Sequence, residues 1–447
     1  LKGNKKMEKT EQIKVVKFGG SSLADASQFK KVADIVKAEK SRHYVVPSAP
    51  GKRFKEDEKV TDLLYACYRK ATAGENFSAE WKKVQDRYNG IISDLSLPVC
   101  LENEFLTIQE HLMRDPQADY VASRGEYLNG ILLASYLGFD FVDAADVIFF
   151  QENGHYDVEK TTEVMTSVLK QHEYAVIPGF YGRAADGTIK TFSRGGSDIT
   201  GSIVALVAKA VLYENWTDVS GFLMADPRIV ENPKIIETVT YSELRELSYM
   251  GATVLHEEAV FPVREAGIPI NIRNTNRPED PGTRIVLRNH VNRMCEGITG
   301  IAGKKGFSVI NIEKDMMNNE VGFCRKVLAV LERYGISFEH LPSGIDAMGI
   351  VVASASLNAN RQAVIEEIRQ AVQPDTIYVE DGLSLVAVVG QGMVRNVGTA
   401  ARIISAVSAS GVNIRMMDQG TRENNIILSV EEADFEKTVR VIYSEFE

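Results

Sequence analysis

Lys17-Phe18-Gly19-Gly20-Ser21-Ser22 separates two stretches of different period. Ahead of it, Ile13 to Val16 is a short apolar run that reads as a buried strand. Behind it, Phe29, Val32, Ala33 and Val36 recur at helical spacing. A strand that breaks into two glycines and then a helix presents several backbone N–H groups at a positive helix end. Such an arrangement binds phosphate without any side chain. Lys17, at the strand tip, adds a mobile cation where a transferred phosphoryl group gathers charge. Taken alone, one Gly-Gly pair reads first as a tight turn beside a solvated lysine.

A second such element changes that reading. Thr188 to Phe192 reads as a strand, followed by Ser193-Arg194-Gly195-Gly196-Ser197-Asp198 and a helix carrying Ile203, Leu206, Val207 and Ala210 on one face. Ser197 and Asp198 are candidate caps for that helix. Arg194 can grip a carboxylate or phosphate through two parallel hydrogen bonds. Two glycine-rich turns, one tipped with Lys and one with Arg, suit a site that holds two anionic reactants.

The remaining composition sets bounds on this reading. A chain of 447 residues exceeds one ordinary core, so two or three domains are expected. A net charge of −10 argues against general nucleic-acid binding, which needs a basic face; a small phosphate ligand needs only a local positive pocket. Cys67, Cys100, Cys295 and Cys324 are scattered with no CxxC pair, which fits reduced thiols in a cytoplasm. No apolar run approaches membrane-spanning length, and Leu1 to Lys6, ahead of Met7, lack the apolar core of a secretion signal. Cytoplasmic localisation is therefore expected.

Strands alternate with helices as far as about Arg288, with strand-like runs at Tyr44 to Pro47, Tyr174 to Ile177, Ala210 to Tyr213 and Pro269 to Arg273. That is the pattern of an α/β domain with a mostly parallel sheet. Tyr68 to Leu112 is more polar, with Trp81, Val84 and Tyr88 at helical spacing, and reads as a helical insertion, either a packed hairpin or a lid. Past Arg288 a weak repeat appears. Gly322 to Ser337 parallels Gly398 to Asn413: a glycine opens each helix and a second closes it before a strand. Ser308 to Ile312 and Ser384 to Val389 are the strands expected ahead of the two helices.

The order of motifs resembles the aspartate kinases. It comprises KFGGSS, Ser123-Arg124-Gly125-Glu126, SRGGSD, Trp216-Thr217-Asp218-Val219-Ser220-Gly221, and Ala225-Asp226-Pro227-Arg228. Met250 to His256 and Ile270 to Thr275 extend the match, and the resemblance runs from about Ile13 to the end. It implies an amino-acid kinase domain over 12–290, with the helical insertion at 68–112. Two ferredoxin-like βαββαβ ACT units follow, at 291–380 and 381–447, which either bind an amino acid or serve only in self-association. The implied reaction moves the γ-phosphoryl of ATP to the β-carboxylate of L-aspartate, giving 4-phospho-L-aspartate, with Mg²⁺ on the phosphates and no metal ligand assignable.

The resemblance also suggests roles. Lys17 stabilises the transferred phosphoryl, the N–H groups along Phe18, Gly19, Gly20 and Ser21 hold phosphate oxygens, and Asp198 organises the lysine, although it could instead only cap its helix. Arg194 clamps the aspartate α-carboxylate, Ser197 is a further substrate-binding residue, and Glu126 partners the ammonium group, unless Glu126 is a surface charge paired with Arg124. Ser48 and Thr61 line the β-carboxylate. Thr217 and Asp218 contact the nucleotide, with Asp226 and Arg228, although Asp-Pro-Arg is also a sound turn. Leu223 and Thr253 stand where many relatives carry tyrosine and a basic residue, which puts single ATP contacts in question. Met317, Gly322, Phe323, Glu339 and Ser343 map to an effector pocket, with Asp346 or Glu320 available to a lysine side chain. Feedback inhibition by lysine is expected ahead of threonine, with ACT units self-associating and no nucleic-acid or membrane partner.

The competing readings are another amino-acid kinase, an ACT-type sensor with weak or no catalysis, and a fused homoserine dehydrogenase. The last needs a GxGxxG after a strand, and Gly390 to Arg395 fails at its final position. No Walker motif and no protein-kinase HRD/DFG set is present.

Overall fold

A computed structural model describes residues 12–193, 195–251, 257–287, 297–394, 396–420 and 424–447. Arg194, Thr253 and Cys295 lie outside the described residues. Two compact units emerge over the described residues. Of the described residues, the first comprises those within 12–222, 237–241 and 257–287, and the second those within 223–236, 242–251 and 297–447.

The first unit is built on β1 (Lys14–Phe18), β2 (Arg42–Pro47), β3 (Asp140–Phe141), β4 (Ala175–Val176), β5 (Tyr181–Arg183), β6 (Ile189–Thr191), β7 (Leu212–Thr217), β8 (Thr238–Thr240), β9 (Ile270–Asn274) and β10 (Thr283–Val286). Eight of these form one sheet in the order β3-β4-β2-β1-β7-β9-β10-β8. Every pairing in it is parallel except β9 with β10. β1 and β2 are buried along almost their whole length, Lys17, Arg42 and His43 included, because both faces of a central parallel strand are covered. The strand expected at Thr188 to Phe192 forms, as β6, but it pairs with β5 in a separate hairpin rather than joining the main sheet.

The covering helices are α1 (Ala26–Lys37), α2 (Val60–Thr72), α3 (Ser78–Leu95), α4 (Glu102–Arg114), α5 (Ala118–Leu137), α6 (Ala144–Val147), α7 (Val158–Leu169) and α8 (Gly196–Val207), with α9 (Tyr241–Tyr249) and α10 (Phe261–Glu265) further on. α1 buries the predicted stripe Phe29, Val32, Ala33 and Val36, and Asp25 caps it by accepting from the Gln28 N–H at 3.0 Å. α5 stops at Gly138, whose left-handed backbone (φ 72°) closes the last turn. The inserted helices are packed: Trp81, Val84 and Tyr88 on α3 and Phe105 and Ile108 on α4 join the core beneath β1 and α1. The insertion is therefore an extension of the core and not a lid.

The second unit is built on β11 (Gly300–Glu313), β12 (Phe338–His340), β13 (Ala347–Ala353), β14 (Thr376–Val389), β15 (Met416–Asp418) and β16 (Asn425–Glu431), antiparallel throughout in the order β12-β13-β11-β14-β16-β15. Its helices are α11 (Phe323–Arg333), α12 (Ser354–Asn358), α13 (Arg361–Val372), α14 (Thr399–Ala409) and α15 (Phe435–Phe446). Gly322 and Gly398 open α11 and α14 in left-handed backbone (φ 81° and 93°), matching the two copies of the repeat. α11 and α13 pack on Ile310, Ile312 and Ile350; α14 and α15 pack on Ile301, Val388 and Leu428. The long strands serve both copies. Phe307–Glu313 pairs with β13, while Gly300–Lys305 pairs with Ser384–Val389 of the second copy.

Candidate active site

In a parallel sheet the carboxyl ends of the strands leave backbone groups and loops open to a ligand. The predicted residues gather at that end of β1, β2 and β7. Lys17 is almost fully buried, and its Nζ lies 2.7 Å from Asp198 Oδ1 at the start of α8. Asn215 of β7 links the two: its Oδ1 accepts from Lys17 Nζ at 3.4 Å and its Nδ2 donates to Asp198 Oδ1 at 2.8 Å. Neither Ser197 nor Asp198 caps α8. The cap is Gly195, in left-handed backbone (φ 63°), with no side-chain hydrogen bond. The cap reading fails because Asp198 already lies within α8 and its carboxylate turns to Lys17 and Asn215.

The first glycine turn also differs from expectation. Gly20–Leu23 makes one 3₁₀ turn, and α1 begins only at Ala26. The Gly19 N–H donates to the Trp216 carbonyl at 3.0 Å, so it is spent on the sheet. The N–H groups of Gly20 and Ser21 open the turn where no intrahelical carbonyl reaches them. Gly51 presses on this turn: its N–H donates to the Gly20 carbonyl at 2.8 Å, and a Cβ there would lie 2.6 Å from the Gly20 carbonyl carbon. Arg87 holds the other side of Gly51 by donating to its carbonyl at 2.8 Å and to Asp57 at 2.7 Å. The hydrogen bond from Arg53 holds the Asp57 carboxyl well below the usual carboxylate range.

Glu126 is a core residue, not a surface charge. It is 5% exposed, and its Oε2 has no hydrogen-bond partner among the described residues. Burial pushes its carboxyl up to about 8, against the opposing pull of the Ala49 N–H and the Arg124 charge. Arg124 is not its ion-pair partner. That guanidinium donates to Ser123 Oγ and stacks among the rings of Tyr120, Tyr127 and Tyr181. Ala49 follows Ser48, whose N–H donates to the Phe18 carbonyl at 3.0 Å and whose carbonyl accepts from Asn129 Nδ2 at 2.7 Å. Thr61 is the second residue of α2, whose first N–H, that of Val60, donates to the Pro50 carbonyl. The loop 48–51 thus ties Glu126, Ser48 and Thr61 to the Lys17 turn.

Ser197 is buried against Gly179, where a Cβ would lie 2.6 Å from its Oγ. β7 runs to Thr217, beyond the Ala210 to Tyr213 run expected, because Glu214, Asn215 and Trp216 are all buried at the sheet centre. Thr217 therefore ends the strand, its Oγ1 donating to Asp218 Oδ1 at 3.2 Å. Asp226 and Arg228 pair with each other at 2.6 Å in a segment that belongs to the second unit. Leu223 bridges Ile235 in that same segment. Motif reading missed Asn215, Asn129 and Arg87. Under the site, Arg42 pairs with buried Glu214 at 2.8 Å, and Glu214 accepts from Trp216 Nε1. Among the described residues no group of three or more His, Cys, Asp or Glu is placed to hold a metal ion.

In the second unit, Met317 and Phe323 are core residues beneath α11. Glu339 accepts from the Tyr249 hydroxyl at 2.6 Å, and Asp346 accepts from the Met316 N–H at 2.8 Å. Glu320 is held by Lys314 and Lys326. Ser343 bridges Met348.

A buried lysine–carboxylate pair beside glycine turns at the carboxyl end of a parallel sheet defines a small-molecule phosphotransferase. Residues 12–274 match the amino acid kinase family, and residues 386–446 match an ACT domain. The chain is 41% identical over 450 residues to Aspartokinase 3 of Bacillus subtilis (strain 168), covering 97% of this chain and 98% of that protein. It matches the crystal structure of Clostridium acetobutylicum aspartate kinase, described as an allosteric enzyme, at 52% identity and TM-score 0.91, over 98% of this chain and 100% of that one. The fold is shared with E. coli aspartokinase III in complex with lysine and aspartate, at 24% identity and TM-score 0.74, over 97% and 99% of the two chains. The chain belongs to the amino acid kinase family and, within it, to the aspartokinases. It is a phosphotransferase with a C-terminal ACT regulatory region. Among the described residues no helix is long and apolar enough to cross a membrane.

Proposed function

We propose that this chain transfers the γ-phosphoryl of ATP to the β-carboxylate of L-aspartate and is inhibited by lysine at its ACT region. The observation that carries the catalytic half is Lys17, fixed 2.7 Å from Asp198 beside the Gly20 turn. The nucleophile is already a carboxylate, so no general base is needed. One bond forms between a carboxylate oxygen and phosphorus, the bond to the β-phosphate oxygen breaks, and no proton moves. Catalysis then rests on positioning and charge. Asp198 and Asn215 hold the Lys17 ammonium toward the transferring group. The Gly20 and Ser21 N–H groups hold phosphate oxygens, and Thr217 and Asp218 lie beside them at the end of β7. Mg²⁺ would neutralise charge on the phosphates, with no protein ligand assigned to it.

On the aspartate side, Glu126 takes the ammonium group, Arg194 and Ser197 the α-carboxylate, and Ser48 and Thr61 the reacting carboxylate. Asp226 and Arg228 remain candidates for the nucleotide. On the regulatory side, Glu339 and Asp346 offer carboxylates to an effector with two ammonium groups, and the left-handed Gly322 turn offers N–H groups to its carboxylate. Met317, Phe323 and Ser343 shape that pocket. Lysine meets this charge pattern better than threonine. Self-association through the ACT units and a cytoplasmic setting for the free thiols of Cys67, Cys100 and Cys324 complete the reading.

The test is hydroxylamine trapping of the acyl phosphate with Mg-ATP and L-aspartate, titrating lysine and threonine separately and together. Aspartate-dependent hydroxamate suppressed by lysine supports both halves. Hydroxamate that neither amino acid suppresses removes the regulatory half. A folded protein that gives no hydroxamate moves the assignment to another amino-acid substrate or to a sensor.

A further inference from the structure

Ile270 to Thr275 extends the run of motifs without supplying any group to the proposed chemistry. β9 ends at Asn274, and Asn274, Thr275 and Asn276 each reach a different part of the first unit. Asn274 Nδ2 donates to Ser220 Oγ at 3.0 Å, just past the end of β7. Asn276 Oδ1 accepts from Gln28 Nε2 at 3.1 Å and from Lys31 Nζ at 2.8 Å, both on α1. Between them, Thr275 is 1% exposed and is bonded in two directions. Its N–H donates to the Thr217 carbonyl at 2.8 Å. Its Oγ1 lies 2.7 Å from Ser22 Oγ, one hydroxyl donating to the other.

Ser22 belongs to the single 3₁₀ turn Gly20–Leu23, whose first N–H groups are those of Gly20 and Ser21. One isolated turn fixes several dihedrals for very few hydrogen bonds, so it does not hold its own position. Here it is held from outside. The Trp216 carbonyl takes the Gly19 N–H, the Gly51 N–H takes the Gly20 carbonyl, and Thr275 takes the Ser22 hydroxyl. Of these three contacts, the last is the one made by side chains. Ser22 is also 1% exposed, so water cannot replace the threonine as its partner. A β-branched residue is stiff about χ1, which keeps the Thr275 hydroxyl aimed at Ser22. Through its own N–H the same residue is fixed to Thr217, at the end of β7. One side chain and one amide thus tie the Gly20 turn to the end of the neighbouring strand.

We infer that Thr275 is a positioning residue for the nucleotide, setting the spacing between the Gly20 and Ser21 N–H groups and the Thr217–Asp218 pair. The inference rests on the nucleotide placement proposed above. Thr275 touches no phosphate and acts through Ser22. Without its hydroxyl, that of Ser22 is left unpaired in a dry site, and the turn shifts to find it another partner. Nucleotide affinity falls as a result. The aspartate side, tied to the loop 48–51, keeps its geometry.

The test is calorimetric binding of ADP with Mg²⁺ to the full chain, alongside the hydroxylamine assay. Thr275→Val keeps the shape and removes the hydroxyl. It should weaken ADP about tenfold and raise the KM for ATP by a similar factor, with the KM for aspartate unchanged. Thr275→Ser restores a hydroxyl and should recover most of the affinity. Ser22→Ala should match Thr275→Val, and the double variant should be no worse than either, since all three remove one contact. Ser22→Ala leaves only a small void and carries the same test if Thr275→Val does not fold. Wild-type ADP affinity in both single variants overturns the inference and leaves the proposed reaction standing. So do losses that add in the double variant, or a Thr275→Ser as weak as Thr275→Val. A Thr275→Val that loses Tm but keeps both KM values overturns it too, since the contact then serves the fold alone. No ADP binding by wild type removes the nucleotide placement itself, and the inference with it.

Discussion

The raised carboxyl of Glu126 makes a quantitative prediction about substrate binding. If Glu126 receives the ammonium group of aspartate, only its ionised form binds. In the free enzyme it titrates at about 8 because burial disfavours its charge. The apparent affinity is then reduced by the factor 1 + 10^(pKa − pH), about 30-fold at pH 6.5 and about 1.3-fold at pH 8.5. kcat/KM for aspartate should therefore rise roughly 25-fold across that interval, with KM carrying most of it and kcat little. At pH 7 aspartate binding should release close to one proton, read as the dependence of calorimetric heat on buffer ionisation enthalpy. Glu126→Gln should bind weakly at every pH and show neither the slope nor the proton. A flat profile in wild type, or the same slope in Glu126→Gln, would refute the reasoning. Stability follows the same titration. The folded value lies above the unfolded 4.5, so Glu126 favours folding at low pH, and that advantage is lost as pH rises toward about 8. Tm of the free enzyme should fall across that window, and less so in Glu126→Gln.

Four further outcomes are expected. Lys17→Met should lower kcat by a factor on the order of 100 or more while leaving circular dichroism unchanged, and near-normal turnover would remove Lys17 from the chemistry. Asn215→Ala, which frees both Lys17 and Asp198, should cost about tenfold in kcat with a smaller change in the KM for ATP, and an unchanged kcat would show that the ion pair positions itself. Gly51→Ala forces a Cβ onto the Gly20 backbone and should destabilise the fold by about 1–3 kcal/mol, measured by denaturant midpoint; a wild-type midpoint would deny the close approach. Glu339→Ala should spare basal activity and weaken lysine inhibition, whereas Tyr249→Phe, by releasing the Glu339 carboxylate, should sharpen it by about fivefold, and no shift in either inhibition curve would count against this pocket.

Much of the first unit was legible because its signals are local. Strand periods, the α1 stripe and the glycine pairs all lie within a few residues of what they determine. Lys17 and Asp198, coupled in the sequence reading by their expected roles, lie 2.7 Å apart in the structure. The capping of α8 was misread because a Ser-Asp pair after glycines looks like a cap, and only the fold shows Asp198 turned inward. Asn215 and Asn129 were invisible for a different reason. A lone Asn in a strand or helix has no motif, and its value lies in reaching a carboxylate or a carbonyl 17 or 81 positions away. The sharing of β11 and β14 between the copies was likewise unreadable, since the repeat announces two equal copies and says nothing of strands lent between them.

That lending has a consequence for how the regulatory half can be cut or copied. The second copy completes its sheet with Gly300–Lys305, which lies in the chain ahead of Phe307–Glu313, the stretch of β11 that pairs within the first copy. A gene fragment beginning near 381 would lack that strand and leave β14 with an open edge, prone to pair with another molecule. The two copies should therefore melt in one transition, resist separation by proteolysis in the folded state, and pass to other proteins only as a pair.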